Sequence, residues 1–168
     1  MATHRISLLG ANTVPDASGN VFFEPYNIKA TNDVFRQMHV VFNDSGTRIL
    51  LYGIANVPKN YVGTATVIIV WTSTATSGDV VWDFDYRAVG GNDSESLDQA
   101  TVQEGVTVTD TAPGATDRRM EVSISLTSAN IVADDTLEWI VGRDGAQGAD
   151  TMAAAAQLVG LYLQYADA

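Results

Sequence analysis

Cysteine is absent from the 168 residues. Disulfides, thiolate metal sites and cysteine nucleophiles are therefore excluded, and stability must come from packing or oligomerisation. Positive charge is scarce: Lys29 and Lys59 are the only lysines, and 9 basic residues face 20 acidic ones, for a formal charge of −11. A nucleic-acid face needs clustered Lys and Arg against phosphates, so direct nucleic-acid binding is not expected. Long apolar runs are missing too. The longest, residues 67–71, is far too short to span a bilayer, and the patch at residues 6–9 falls short of a signal peptide's apolar segment. Membrane anchoring and export by the usual route are not expected. Histidine is limited to His4 and His39, neither with a second ligand at metal-binding spacing. A hydrolytic triad would have to use one of them as its base, and no nucleophile elbow, Walker loop or dinucleotide glycine pattern occurs. The expectation is no catalytic residue, no metal and no cofactor.

Helix-forming sequence is equally sparse. "SLDQATVQE", "SANIVADD" and "DTMAAAAQ" each have room for a turn or two at most, the last because four alanines favour helix but run straight into a strand pattern.

What is present is alternation. In "GDVVWDFDYRAVGG", Val80, Trp82, Phe84, Tyr86 and Ala88 fall on one side of an extended chain, with Val81, Asp83, Asp85 and Arg87 on the other. That predicts a half-buried antiparallel strand with an aromatic inner face. Met120, Val122, Ile124 and Leu126 alternate with polar residues, as do Val106 and Val108 with threonines. Leu137, Trp139 and Val141, then Val159, Leu161, Leu163 and Tyr165, continue the pattern. "GTATVIIVWT" places Ala65, Val67, Ile69 and Trp71 on one face but adds Ile68 and Val70 on the other, which predicts a central strand or a subunit contact. "VFRQMHVVF" and "TRILLYGI" flank Asn43-Asp44-Ser45-Gly46, a hairpin signal. Eight or more strands punctuated by turns predict an all-β sandwich or barrel. The first thirty residues are turn-rich and weakly periodic, which suggests an N-terminal arm or peripheral hairpin over residues 1–32 and the sandwich over 33–168.

Several features admit a chemical reading. Asp83 and Asp85 are one residue apart, but a catalytic acid pair needs a pocket to raise one pKa. Their alternation with Trp82 and Phe84 places them instead on an exposed or interface strand face. "DGAQGAD", with Asp144 and Asp150, lacks the regular oxygen ligands of a calcium loop and reads as a connection between the last two strands. Asp134 and Asp135 read as turn carboxylates, with calcium as the alternative. Trp82 and Trp139 sit in phase with core residues, so packing accounts for them better than a sugar-stacking platform. Trp71 is placed at a sandwich rim or subunit contact.

The stretches "WTSTATSGDVVWDFDYRAV", "VTVTDTAPGATD", "SLTSANIVADDTLEWIVGRDG" and "ADT…LVGLYLQY" resemble a jelly-roll domain of bacteriophage virion proteins, among them capsid decoration proteins and fibre-tip domains. The resemblance covers residues 61–165. It implies an antiparallel β-sandwich of jelly-roll type and a non-enzymatic virion protein. The leading expectation is a capsid decoration (cement) protein, made in the host cytoplasm, that binds and stabilises the outer capsid surface. It further implies a homotrimer in contact with other virion proteins such as the major capsid protein. Ile68, Val70 and Trp71, together with Val14, Phe22 and Tyr26 of the arm, are the candidate subunit or capsid contacts. The alternative is a receptor- or glycan-binding tail module, which needs exposed aromatics. A polysaccharide-degrading sandwich, which needs paired buried acids in a cleft, comes third.

Overall fold

A computed structural model describes residues 2–10, 12–26, 37–91 and 95–167, with Pro25 and Tyr26 described by backbone alone. Eleven strands follow one another: β1 (Thr3–Ser7), β2 (Val14–Pro15), β3 (Val21–Tyr26), β4 (Gln37–Phe42), β5 (Arg48–Asn56), β6 (Tyr61–Thr72), β7 (Asp79–Val89), β8 (Glu104–Thr111), β9 (Met120–Ser125), β10 (Thr136–Asp144) and β11 (Ala156–Asp167). One sheet runs β3-β4-β11-β6-β9, with β1 pairing the far half of β11 beyond the end of β4. The other runs β2-β5-β10-β7-β8. Every pairing is antiparallel, and the two inner faces enclose one core, so the chain is an all-β sandwich.

The alternation read from the sequence is what fills that core. Val80, Trp82, Phe84, Tyr86 and Ala88 of β7 all point inward, as do Ala65, Val67, Ile69 and Trp71 of β6 and Leu137, Trp139 and Val141 of β10. The three tryptophans are fully buried. Trp82 stands at their centre, edge-on to Phe42 at 5.3 Å and to Trp71 at 6.0 Å, the arrangement aromatic quadrupoles favour. No tryptophan is left on the surface to form a sugar platform.

Four expectations are corrected. The turn at residues 43–46 does not close a hairpin: β4 pairs β3 and β11, while β5 pairs β2 and β10, so the chain crosses there between sheets. The alanine run forms no helix. Residues 151–155 are loop, Met152 and Ala156 belong to the core, and the only helical turn among the described residues is the 3-10 turn Ser128–Asn130. In β11 the register slips between Leu158 and Gly160, so Leu158 takes the core place expected of Val159. Asp83 is buried, for reasons given below.

The described residues among 2–26 are woven into both sheets: β1 extends one edge of β11, β2 edges the five-stranded sheet, and Leu8 and Val21 reach the core. The expected boundary at 32–33 lies outside the described residues. In β3, the Asn43 N–H donates to the Asn20 carbonyl, so in this register Phe22 and Glu24 bond β4 while Val21, Phe23 and Pro25 face the free edge. Pro25 has no N–H to offer there, which blunts that edge against stray pairing.

Candidate functional site

The outer face of the five-stranded sheet is ordered in rows that cross its strands. One row runs Val14, Tyr52, Ile140, Asp85, Gly105 from β2 to β8. On one side of it stands the row Ile54, Glu138, Arg87, and on the other Leu50, Gly142, Asp83, Thr107. The residues are those left over when the alternating partners turn to the core, so the same periodicity that builds the core sets this face.

Arg48, at the start of β5, organises the third row. Its side chain crosses β10 beside Gly142 and reaches β7. There Nε donates to Asp83 Oδ2 and Nη2 to Asp85 Oδ2, each at 2.6 Å. Leu50 already fills the space above Gly142, where a Cβ would lie 2.7 Å from its Cδ2. Asp83, only 3 % exposed, is thereby sealed beneath the guanidinium, and its Oδ1 finds no hydrogen-bond donor. Burial raises the Asp83 pKa above the ordinary carboxylate range, against the pull of Arg48. Burial would lower that of Arg48, but its bonds to Asp85 and Asp83 carry it above its usual value. The pair expected on an exposed face is thus a clamped ion triad. Arg48 is the residue the sequence reading missed, because nothing local ties it to a strand 35 residues on.

Beside the triad the face opens into a cavity of about 400 Å³. Its floor is Tyr52, Ile140, Asp85, Glu138 and Arg87, and its wall is the segment Leu97 to Val102. That wall is pinned to β7: Arg87 Nε donates to the Thr101 carbonyl at 3.1 Å, the Gln103 amide oxygen accepts from Ala88 N–H, and Glu95 accepts from Gly90 N–H. Asp85 leans over Gly105, where a Cβ would lie 2.5 Å from its Oδ1, so glycine is what lets the carboxylate lie there. Tyr52 is 39 % exposed, and neither its hydroxyl nor the Glu138 carboxylate bonds any described residue. The cavity therefore offers an aromatic surface, free oxygens and a guanidinium on its floor, the mixture of apolar wall and few polar groups typical of a small-molecule site.

Of the residues singled out as contacts, Ile68 and Val70 are 3 % exposed and Trp71 is fully buried, its indole N–H donating to Asp110 at 2.8 Å. These three offer no surface to a neighbour. Val14 and Phe22 are exposed, and Val14 flanks Tyr52 at the cavity's edge. The side chain of Tyr26 lies outside the described residues. The acidic loop positions have internal tasks: Asp150 holds Arg143, Asp144 accepts from Ala146 N–H and Gln147, and Asp135 accepts from Val132 N–H. Among the described residues no three acidic or histidine side chains stand close enough to hold a metal ion.

Neither a family model nor a curated protein matches the chain in sequence. Solved structures do match in shape. A family 35 carbohydrate-binding module from Clostridium thermocellum aligns with a TM-score of 0.55 at 12 % identity, covering 100 % of each chain. A family 35 module from Paenibacillus barcinonensis gives 0.54 at 13 %, over 97 % of this chain and 98 % of that one. The family 35 module of Abf62 from Cellvibrio japonicus gives 0.52 at 11 %, over 99 % of each. At such identities the likeness shows the fold, and the chain is a jelly-roll β-sandwich.

Proposed function

We propose that this chain is a non-catalytic glycan-binding module that takes a sugar on the outer face of its five-stranded sheet. The observation that carries the reading is the cavity in which the exposed Tyr52 ring lies beside the unengaged Glu138 carboxylate and the Arg87 guanidinium. A pyranose has C–H faces that pack on an aromatic ring and hydroxyls that bridge to such groups. The neighbours in shape, each described as a carbohydrate-binding module, support the reading by analogy, since fold alone does not fix function. None of these three is described as a virion protein.

A catalytic role fits less well. Glycoside hydrolysis uses one carboxylic acid of raised pKa facing the substrate. Asp83 is the carboxylate whose pKa is raised here, and it lies beneath Arg48 rather than in the cavity. The test is affinity electrophoresis against a panel of soluble polysaccharides, repeated with Tyr52→Ala. Binding to at least one polymer, weakened about tenfold or more in the variant, supports the proposal. Retardation that Tyr52→Ala leaves unchanged moves the site elsewhere, and release of reducing ends by the purified chain makes it an enzyme.

A second reading, attachment to a protein surface as in a virion or homotrimer, is favoured by one observation. Phe23 and Met38, diagonal neighbours on one face of β3 and β4, are both exposed apolar side chains. Sedimentation of the purified chain and of Phe23→Ser/Met38→Ser tests it: a trimer lost in the variant supports the reading, and a monomer throughout removes the homotrimer.

A further inference from the structure

Carboxylates outnumber guanidinium groups two to one on the cavity lining, where Asp85 and Glu138 face Arg87. Their availability differs sharply. Asp85 is engaged by Arg48. Arg87 stands opposite Glu138 in register but turns to the wall, its Nε on the Thr101 carbonyl, and forms no ion pair with a described residue. Glu138 alone presents an uncommitted charge: half-buried at the centre of the floor, it bonds no described residue. Tyr52 lies diagonally across the adjoining strand, since Ile54 pairs Glu138 and Tyr52 pairs Ile140. A ring stacked on Tyr52 therefore carries a substituent toward Glu138, which lies about 7–8 Å away as diagonal cross-strand neighbours do.

We propose that this site prefers 2-amino sugars bearing a free ammonium group, with Glu138 as the residue that receives the cation. The inference rests on the glycan-binding reading and names the class of sugar. A half-buried carboxylate with no protein partner gains most from a cationic donor, which makes a charge-assisted hydrogen bond a hydroxyl cannot match. The chain's charge of −11 draws cationic polymers and repels uronic acids over the same surface. Arg87 does not reverse this, because its guanidinium is aimed at the wall and shares the floor with the facing acid.

The experiment titrates the intact chain with four tetrasaccharides of matched length: glucosamine, N-acetylglucosamine, cellotetraose and galacturonic acid. Wild type, Tyr52→Ala and Glu138→Gln are compared by calorimetry, with thermal melts confirming that each variant is folded. Glucosamine should bind about tenfold tighter than its N-acetylated form, and Glu138→Gln should abolish that difference by weakening glucosamine far more than the neutral sugars. The preference should also shrink with added salt. Equal or tighter binding of a neutral or uronic chain, still lost in Tyr52→Ala, overturns the amino-sugar inference while the glycan reading stands. Heat from none of the four sugars overturns the preference. If the polysaccharide panel is silent too, the glycan reading falls with it.

Discussion

Arg143 is fully buried and holds the carboxylate of Asp150, seven residues on, through a two-pronged pair: Nη2 to Oδ1 at 2.7 Å and Nε to Oδ2 at 3.0 Å. The same guanidinium donates to the Ala154 and Met152 carbonyls, and Asp150 also accepts from Val81 N–H. One side chain thus satisfies the backbone of the loop between β10 and β11 and ties it to β7. Removing one partner of such a pair strands a buried charge. Asp150→Ala should cost about 3–5 kcal/mol by urea denaturation, far more than any exposed ion pair here. A loss within the ~0.5 kcal/mol typical of ordinary surface substitutions would show that the loop needs no latch.

The Arg48 triad makes an asymmetric prediction. Because burial raises the Asp83 pKa, the folded chain binds that proton more tightly than the unfolded one. Its contribution is complete below the unfolded value of 3.8 and is lost as pH rises through the higher folded value. At pH 7, Asp83→Asn should be at least as stable as wild type, and any advantage should vanish below about pH 4. Arg48→Met, by contrast, leaves two acids without their cation and should destabilise by about 3–5 kcal/mol at pH 7. Chemical denaturation across pH tests both, and a costly Asp83→Asn with a harmless Arg48→Met would reverse the account.

Core packing is where sequence and structure agree most closely, and Gly53 shows how tight it is. A Cβ there would lie 2.0 Å from the Trp139 ring. Gly53→Ala should therefore cost at least as much as ordinary overpacking, about 1–3 kcal/mol. Trp82→Ala and Trp139→Ala should each cost about 3–5 kcal/mol. Thermal melts decide, and a Trp139→Ala variant with unchanged stability would mean the ring is not packed as described.

The legible part of this fold was whatever period two controls. Trp82, Phe84, Val122, Ile124, Leu137, Trp139 and Leu161 could be assigned to one core because a strand sends alternate side chains to one side, and all are buried there except Val122, which packs against it partly exposed. The illegible part depended on non-local partners. Asn43 to Gly46 carry a turn signal, but turn residues bend the chain without saying whether the flanking strands pair. Val159 was misplaced because a bulge adds one residue and reverses the phase after it. Tyr52 and Glu138 drew no attention as site residues, because an exposed tyrosine and a strand glutamate gain meaning only once their strands are adjacent and a loop distant in sequence from both walls them in. The stretches that carried the virion resemblance are built on this same alternation, and what they share with the solved structures is the jelly-roll fold.

Glu104 supplies the opposite pH dependence to Asp83. Its carboxylate accepts from the Tyr86 hydroxyl at 2.5 Å and from the Thr127 N–H and Oγ1 at 2.9 and 2.8 Å, joining β8 to the turn after β9. Burial would raise its pKa, but these bonds carry it below the ordinary 4.5. A depressed folded pKa contributes stability above the unfolded value that is lost as pH falls through the folded one. Tyr86→Phe removes one bond to a charged acceptor and should cost about 1.5–3 kcal/mol at pH 7. Glu104→Gln should lose stability at pH 7 but decline less steeply than wild type below pH 4.5, because the group that titrates is gone. Asp83→Asn should show the reverse trend over the same range. Denaturation midpoints at half-unit pH steps separate the two groups, and parallel profiles for wild type and Glu104→Gln would show that this carboxylate carries no part of the acid sensitivity.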